Sequence, residues 1–132
     1  MIFLPDTNAF SRYLQKRDDV FVAKVAAEFP NLRIAAIVLA ELEYGAAKSG
    51  VARHRQRLDS LLAVLTVEPF SAADAQSYGG LRADLEHRGQ CIGPHDMLIA
   101  AQALRLGATV VTHNLREFSR VPGLKCEDWQ AA

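Results

Sequence analysis

Residues 1–10, MIFLPDTNAF, place a short apolar segment directly before a carboxylate, a hydroxyl and an amide. Ile2 to Pro5 predicts a buried β-strand that ends at the proline, because proline lacks the N–H group that a strand interior needs. Asp6 then has two interpretations. It can cap a helix that begins at Thr7 by accepting backbone N–H groups, or it can bind a metal ion. The rest of the chain must decide between the two.

Predicted strands and helices alternate along the whole chain. The predicted strands are residues 2–5, 32–37, 64–70, 108–114 and 124–129, and the predicted helices are residues 7–15, 18–29, 38–50, 51–63, 71–88 and 94–106. This order favours an α/β fold, a three-layer sandwich with a short, mainly parallel sheet of four or five strands, in a single domain of residues 1–132. Functional sites of such folds lie beyond the carboxyl ends of the strands.

The composition predicts a cytoplasmic protein without a membrane span. Half of the 132 residues are hydrophobic, yet every apolar run is far shorter than the roughly twenty residues that a spanning helix needs. We see no secretory signal at the N-terminus. Cys91 and Cys126 belong to no CxxC motif, so we expect reduced thiols rather than a zinc site. The formal net charge of zero argues against a protein that coats nucleic acid, but not against a metal-dependent nuclease.

Two further acids occupy positions where apolar residues would be expected. On their predicted helices, Glu41 and Asp96 have mostly apolar same-face neighbours, which are Ile37, Val38, Tyr44 and Gly45 for the first and Ile92, Gly93, Ile99 and Ala100 for the second. An uncompensated carboxylate in such a setting costs free energy. A divalent cation shared with Asp6 would compensate all three acids, and an oxygen-only ligand set favours Mg²⁺ or Mn²⁺.

Each of these acids also has a purely structural interpretation. Asp96 lies in the first turn of its predicted helix, where the helix dipole favours negative charge. Glu41 could lie at the edge of its apolar stripe and reach water. Glu43 is a competitor for its role, but the two side chains cannot share one face, since two helical steps turn by about 200°. The segment RHRQR is either a solvated helix face or an RNA-binding cluster formed by Arg53, Arg55 and Arg57.

Several segments together resemble the PIN-domain family. DTN at residues 6–8, LAELEYG at 39–45 and IGPHDMLIAAQA at 92–103 resemble its acidic motifs, and residues 110–129 resemble the tail of the VapC-type toxins within that family. The resemblance implies a metal-dependent endoribonuclease, the toxin component of a type II toxin–antitoxin system. It maps the catalytic, metal-binding acids onto Asp6, Glu41 and Asp96, with Mg²⁺ or Mn²⁺ as the cofactor.

The chain departs from the family pattern at two positions. Pro5 stands where the family usually has an aliphatic residue, and Asn114 stands where many members have a fourth acid. We expect Asn114 to lie in the site as a neutral partner. We expect Glu117, one helical turn later, to lie in a segment that leads away from the site and not to replace the missing acid.

Polar residues beside these acids could orient the carboxylates or metal-bound water, and we assign this supporting role to Thr7, Asn8 and Thr112. Helix capping is the alternative for Thr7 and Asn8. His95 and His113 flank the predicted site, and we interpret both as surface or positioning residues, not as the catalytic base.

The resemblance also implies partners. We expect an RNA substrate, a homodimer, and an antitoxin that forms a hetero-oligomer with the toxin and inserts an Arg or Lys against the acids. Two other functions remain open. A non-catalytic PIN module would bind RNA or a partner without metal chemistry. A haloacid-dehalogenase-like phosphatase would need a second Asp where this chain has Asn8.

Overall fold

The computed structural model describes residues 1–130, in which short strands alternate with longer helices. The strands are β1 (Phe3–Pro5), β2 (Arg33–Ala35), β3 (Thr66–Glu68), β4 (Thr109–Val111) and β5 (Lys125–Glu127). The α-helices are α1 (Thr7–Gln15), α2 (Asp19–Glu28), α3 (Ala36–Ser49), α4 (Ala52–Leu62), α5 (Ala72–His87), α6 (Pro94–Leu106) and α7 (Leu115–Phe118). A 3₁₀ turn at Phe29–Asn31 follows α2. The predicted domain end at residue 132 lies outside the described residues.

Two differences from the predicted elements matter for the site. Helix α3 begins at Ala36, two residues before the predicted start, so that Ala36 and Ile37 are helical rather than part of a strand. Helix α7 was not predicted, and it begins at Leu115, directly after Asn114. The residues directly after Asn114 are therefore helical, where the sequence analysis expected a segment that leads away from the site.

All strand pairings in the described part of the chain are parallel. β4 lies between β1 and β5, and β2 pairs with β3. A single bridge between Phe3 and Leu32 joins the two groups, so the spatial order is β3–β2–β1–β4–β5. This arrangement confirms the predicted short, parallel sheet.

Helices cover the sheet on both of its faces. Phe3, Leu4 and Pro5 are all buried, although successive strand residues point to opposite faces. The same holds for all three residues of β4. Leu4, Ile34 and Val110 are fully inaccessible to solvent and belong to one core that runs from Phe3 to Trp129. The predicted sandwich of three layers therefore follows from the burial pattern of the strands.

Local sequence signals set the helix ends around the sheet. Ser71 and Asp74 form the predicted capping box of α5, with 3.2 Å from the Asp74 N–H to the Ser71 hydroxyl. Pro94 opens α6, and Gly107 ends it with a φ of 63°, a left-handed conformation that glycine adopts without strain. These signals hold Asp96 in the first turn of α6.

Three neighbouring strands end in register. Pro5 pairs with Val111, and Val111 pairs with Glu127. The first residues after these strands are Asp6, Thr112 and Asp128. They continue the ladder of backbone hydrogen bonds, because the Asp6 N–H donates to the Val111 carbonyl and the Thr112 N–H donates to the Glu127 carbonyl. This carboxyl edge of the sheet carries the candidate site.

Trp129 anchors the end of the row. Its side chain is only 7% exposed, and its ring meets that of Phe3 edge-on with 4.9 Å between centroids. Its indole N–H donates to Glu127 over 3.0 Å. Trp129 thus packs into the core and fixes the position of the neighbouring Asp128 at the end of β5.

We expect Trp129→Ala to lower the free energy of unfolding by about 3–5 kcal/mol, because it empties a large buried volume. Urea denaturation followed by circular dichroism measures this loss without relying on tryptophan emission, which the variant lacks. Tyr44→Ala is the matched control, since Tyr44 is 65% exposed, and it should change stability by about 0.5 kcal/mol or less. Equal effects of the two substitutions would show that Trp129 does not anchor the chain.

Candidate metal centre

Asp6 is a helix cap and a buried acid at the same time. Its Oδ1 atom accepts a hydrogen bond of 2.8 Å from the Ala9 N–H, so the capping interpretation is correct for Asp6 itself. The side chain is nevertheless buried, and this burial is the main cause that raises the pKa of Asp6. The Thr112 hydroxyl and the Ala9 N–H lower the pKa in part, whereas the carboxylates of Glu41 and Asp128 raise it. Capping therefore leaves a carboxylate that is poorly compensated.

Asp96 is the most strongly perturbed acid of the site. Burial, first of all, and then repulsion from Asp6, Glu117 and Glu41 raise its pKa from 3.8 to about 6. The nearby His95 lowers it in part. Asp96 lies in the first turn of α6, as predicted, but the favourable dipole there does not offset burial and three neighbouring carboxylates.

Glu41 lies at the edge of its helix stripe. Its side chain is 31% exposed, and its neighbour Tyr44 faces solvent, which matches the structural interpretation given for this residue. Its Oε1 atom accepts a hydrogen bond of 2.8 Å from the Thr7 hydroxyl, and Oε2 lies 3.4 Å from Nδ1 of His95. Thr7 therefore orients Glu41 and does not cap α1.

Asn114 links the site to α7. Its backbone N–H donates to the Thr112 hydroxyl over 2.9 Å, and its side-chain amide donates to Oε2 of Glu117, also over 2.9 Å. Repulsion from Glu117 contributes to the raised pKa of Asp96, so Glu117 lies nearer to the acids than the sequence suggested, and whether it binds the ion stays a prediction. Helix α7, which begins immediately after Asn114, places Glu117 within side-chain reach of Asn114.

Asp6, Glu41 and Glu117 lie near enough to Asp96 to raise its pKa by repulsion, and Thr7, Thr112 and Asn114 are hydrogen-bonding neighbours of these acids. Asn8 is exposed and makes no hydrogen bond with another described side chain. Within residues 1–130, no three acidic, histidine or cysteine side chains already converge closely enough to enclose an ion. The acids still repel one another strongly enough to shift the pKa of Asp96, so the edge attracts positive charge.

The competing acid and part of the basic cluster are engaged elsewhere. Glu43 receives two hydrogen bonds from Arg55, at 2.7 and 2.8 Å, and these lower its pKa. Arg55 also binds Asp59. Arg57 donates to the Leu14 carbonyl over 3.0 Å, whereas Arg53 is exposed. The interpretation of RHRQR as a solvated helix face thus fits much of this segment. RNA binding by Arg53, Arg55 and Arg57 stays a prediction.

Sequence reasoning missed one acid of this edge. Asp128 follows β5 and contributes to the raised pKa of Asp6, and its Oδ2 atom lies 2.9 Å from Nδ1 of His113. The sequence prediction placed Asp128 inside its last strand, residues 124–129, whereas β5 ends at Glu127, so Asp128 has the position after β5 that Asp6 has after β1. No local pattern in the sequence marked it.

Residues 3–124 match the family model of the PIN domain. The chain is 40% identical over 132 residues to Ribonuclease VapC2 of Rickettsia felis, with 98% of each chain covered. It is 34% identical over 128 residues to the tRNA(fMet)-specific endonuclease VapC of Salmonella typhimurium, with 96% of this chain and 97% of the relative covered.

Two solved structures have the same fold over nearly their full length. The structure of VapBC2 from Rickettsia felis bound to a DNA fragment from their promoter superposes with a TM-score of 0.91 at 38% identity, with 98% of this chain and 100% of that chain covered. The DNA-bound VapBC of Salmonella typhimurium superposes with a TM-score of 0.87 at 32% identity, with 98% of each chain covered.

Proposed function

Because the chain belongs to the PIN-domain family and, within it, to the VapC group, we propose that it is a metal-dependent endoribonuclease and the toxin of a type II toxin–antitoxin pair. The observation that carries this proposal is Asp96, whose pKa of about 6 reflects burial and three neighbouring carboxylates at one sheet edge. Perturbed acids grouped in this way are typical of catalytic sites.

Asp6, Glu41 and Asp96 would hold Mg²⁺ or Mn²⁺, with Glu117 as the candidate fourth acid. Oxygen ligands suit these hard cations, and neighbouring, partly buried carboxylates repel one another until a cation binds. Such an ion supplies charge neutralisation and activation of water for phosphodiester hydrolysis. The proposal of Mg²⁺ or Mn²⁺, rather than zinc, rests on this oxygen-only donor set.

Polar neighbours would keep the acids in place for this task. Thr7 holds one oxygen of Glu41, and the Thr112 hydroxyl lies between Asp6 and the backbone of Asn114. Asn114 holds Glu117. Such outer contacts typically change metal affinity or activity by about 10- to 100-fold when they are removed.

Cleavage of RNA tests the proposed function directly. The pure protein is incubated with total RNA and with tRNA(fMet), the substrate that the name of the Salmonella relative gives. The reaction is run with Mg²⁺, with Mn²⁺ and with EDTA, and the fragment ends are sequenced. We expect discrete cuts with either metal and none in EDTA. Undiminished cleavage in EDTA would contradict metal dependence. Intact RNA under all conditions would favour the alternative of a non-catalytic PIN module.

We also propose a homodimer and an antitoxin partner in the cytoplasm. The two superposed structures are VapBC complexes, which supports a partner of this class. A groove of about 190 Å³ between α1, α3 and α4 includes Glu41 in its wall, so a partner in this groove would contact that acid. None of the helices in residues 1–130 is long and apolar enough to span a bilayer. Light scattering of the isolated chain tests the homodimer, and a monomer at high concentration would contradict it.

The phosphatase alternative has little support. It needs an acid two residues after the first Asp, and Asn8 is an exposed amide that cannot exchange a proton. Membership in the PIN-domain family favours nuclease chemistry instead.

We expect Glu117→Gln to weaken Mn²⁺ binding by about 10-fold, because it removes one of the four charges that attract the ion. This reverses the expectation from sequence, since Glu117 repels Asp96 in the folded chain. Asn114→Asp should not tighten binding, because the new carboxylate would repel Glu117 and release it. Calorimetric titration measures both variants. Glu86→Gln is the control, since Glu86 pairs with Arg82 on an exposed face of α5. A Glu117 variant that matches this control would exclude Glu117 from the ligand set.

A further inference from the structure

A histidine–aspartate pair stands at the carboxyl edge of the sheet, beside the acids of the proposed metal centre. Asp6, Thr112 and Asp128 are the first residues after three neighbouring strands that end in register. Adjacent strands lie about 4.8 Å apart, so Asp128 lies roughly 10 Å from Asp6 along this row. His113 follows Thr112, and Nδ1 of its ring is 2.9 Å from Oδ2 of Asp128.

Asp128 is built to hold a side chain, not to bind the ion. Its Oδ2 atom is engaged by His113, and its Oδ1 atom accepts a hydrogen bond of 3.0 Å from the Gln130 N–H. Trp129, which lies between Asp128 and Gln130 in the sequence, is packed into the core and keeps this segment in place. Both oxygens of Asp128 therefore have partners within the chain.

The pairing fixes the tautomer of His113. An ionised carboxylate can only accept, so Nδ1 must carry the proton that Asp128 receives as a hydrogen bond. In the neutral ring, Nε2 is then a hydrogen-bond acceptor. The His113 side chain is 65% exposed, and Nε2 has no hydrogen-bond partner among residues 1–130. In its neutral form, the ring thus presents one oriented acceptor next to the acidic site.

An acceptor of this kind selects among the groups of a nucleic acid. Phosphate oxygens are themselves acceptors and cannot bond to it. The ribose 2′-hydroxyl can donate, and it is the group by which proteins tell RNA from DNA. Exocyclic base amino groups can also donate, but they differ from one nucleotide to the next.

We propose that His113 accepts a hydrogen bond from a ribose 2′-hydroxyl of the RNA substrate close to the cleaved bond, and that Asp128 is the positioning residue that fixes its tautomer. This inference rests on the proposed nuclease function and adds to it a determinant of RNA selectivity. His113 is then a substrate-contacting residue and takes no part in metal binding.

Binding of defined oligonucleotides tests the contact. The probe is a synthetic RNA that spans the cleavage position found by end sequencing, together with versions in which one ribose at a time is 2′-deoxyribose. Affinities are measured by fluorescence anisotropy with Ca²⁺ in place of Mg²⁺, and intact probe is verified on a gel. For the unmodified protein, we expect one deoxy position near the cleaved bond to weaken binding about 2- to 10-fold, the range for one neutral hydrogen bond.

His113→Phe should weaken binding of the all-ribose probe by a similar factor and abolish sensitivity to that one deoxy position. His87→Phe is the matched control, because His87 is an exposed histidine in the last turn of α5 and should change neither quantity. The proposal is wrong if His113→Phe has no effect on binding. It is also wrong if, at every position of the probe, the loss caused by 2′-deoxyribose is the same in His113→Phe as in the unmodified protein. A loss that follows the base and not the ribose would assign His113 to base recognition and would also overturn it.

A spectroscopic measurement checks the role of Asp128 without substrate. The ¹⁵N chemical shifts of the His113 ring should report the Nδ1–H tautomer in the unmodified protein, and Asp128→Ala should shift the ring away from it. A ring that already has its proton on Nε2 would contradict the proposal. If the unmodified protein binds and cuts RNA and His113→Phe binds RNA equally well, this inference alone is refuted. If the unmodified protein does not cleave RNA, the proposed function is refuted as well.

Discussion

Asp96→Asn should reduce RNA cleavage by more than about 100-fold while the chain stays folded, a larger effect than the 10- to 100-fold typical of residues that only support a metal ligand. The substitution keeps the size of the side chain and removes a charge that lies among three other carboxylates. Asp6→Asn should act similarly, because its amide oxygen can still accept from the Ala9 N–H and so preserve the cap of α1. Cleavage rates at saturating Mn²⁺, with circular dichroism for the fold, measure both effects.

Asp84→Asn provides the control for this loss. Asp84 is an exposed acid that pairs with Arg88 four residues later on α5, and its replacement should leave cleavage unchanged. Retention of normal activity by the Asp96 and Asp6 variants would separate these acids from the chemistry and would remove the basis of the proposed site.

The free energy of unfolding in EDTA should fall as the pH rises from about 4 to about 6. Asp96 has its pKa raised to about 6 in the folded chain, so the folded state binds more protons than the unfolded state in this window. The stabilising contribution is complete below the unfolded value of 3.8 and is lost as the pH rises through about 6. After discounting for the partial exposure of Asp96, the loss should be about 1–2 kcal/mol.

Asp96→Asn should remove the contribution of Asp96 to this pH dependence, whereas Asp6, whose pKa is also raised, keeps its own, and the variant should be more stable than the unmodified protein at pH 7 without metal. Thermal unfolding at a series of pH values in EDTA tests both statements. A stability that stays flat between pH 4 and 6 in the unmodified protein, or an Asp96 variant with the same slope, would show that Asp96 is not held among mutually repelling acids.

The sequence carried enough information for the order and type of most elements. Helix α6 was predicted with its observed bounds, because Pro94 and Gly107 mark its two ends chemically. The start of α3 was placed too late, because no capping side chain precedes Ala36 and the following Ile37 and Val38 also suit a strand. Helix α7 was missed since four residues are too few to show helical periodicity.

The site was predictable only where a residue conflicted with its local pattern. Asp6 and Asp96 stood out as acids in apolar surroundings, and the folded chain brings their carboxylates close enough to repel. Glu117 and Asp128 gave no such signal, because their positions depend on the turn after β4 and on the register between β4 and β5. Long-range register of this kind is set by packing, not by local sequence.

Calorimetric titration with Mn²⁺ at pH 7.5 tests most directly whether the acids at this sheet edge form a metal centre. Unmodified protein and Asp96→Asn are compared under identical conditions, with Asp84→Asn as the control. We predict saturable binding to the unmodified protein and to the control, and binding weakened by more than about 100-fold in Asp96→Asn, because one charged oxygen ligand is lost. Absence of Mn²⁺ binding to the unmodified protein, or equal affinities for all three proteins, would contradict the account.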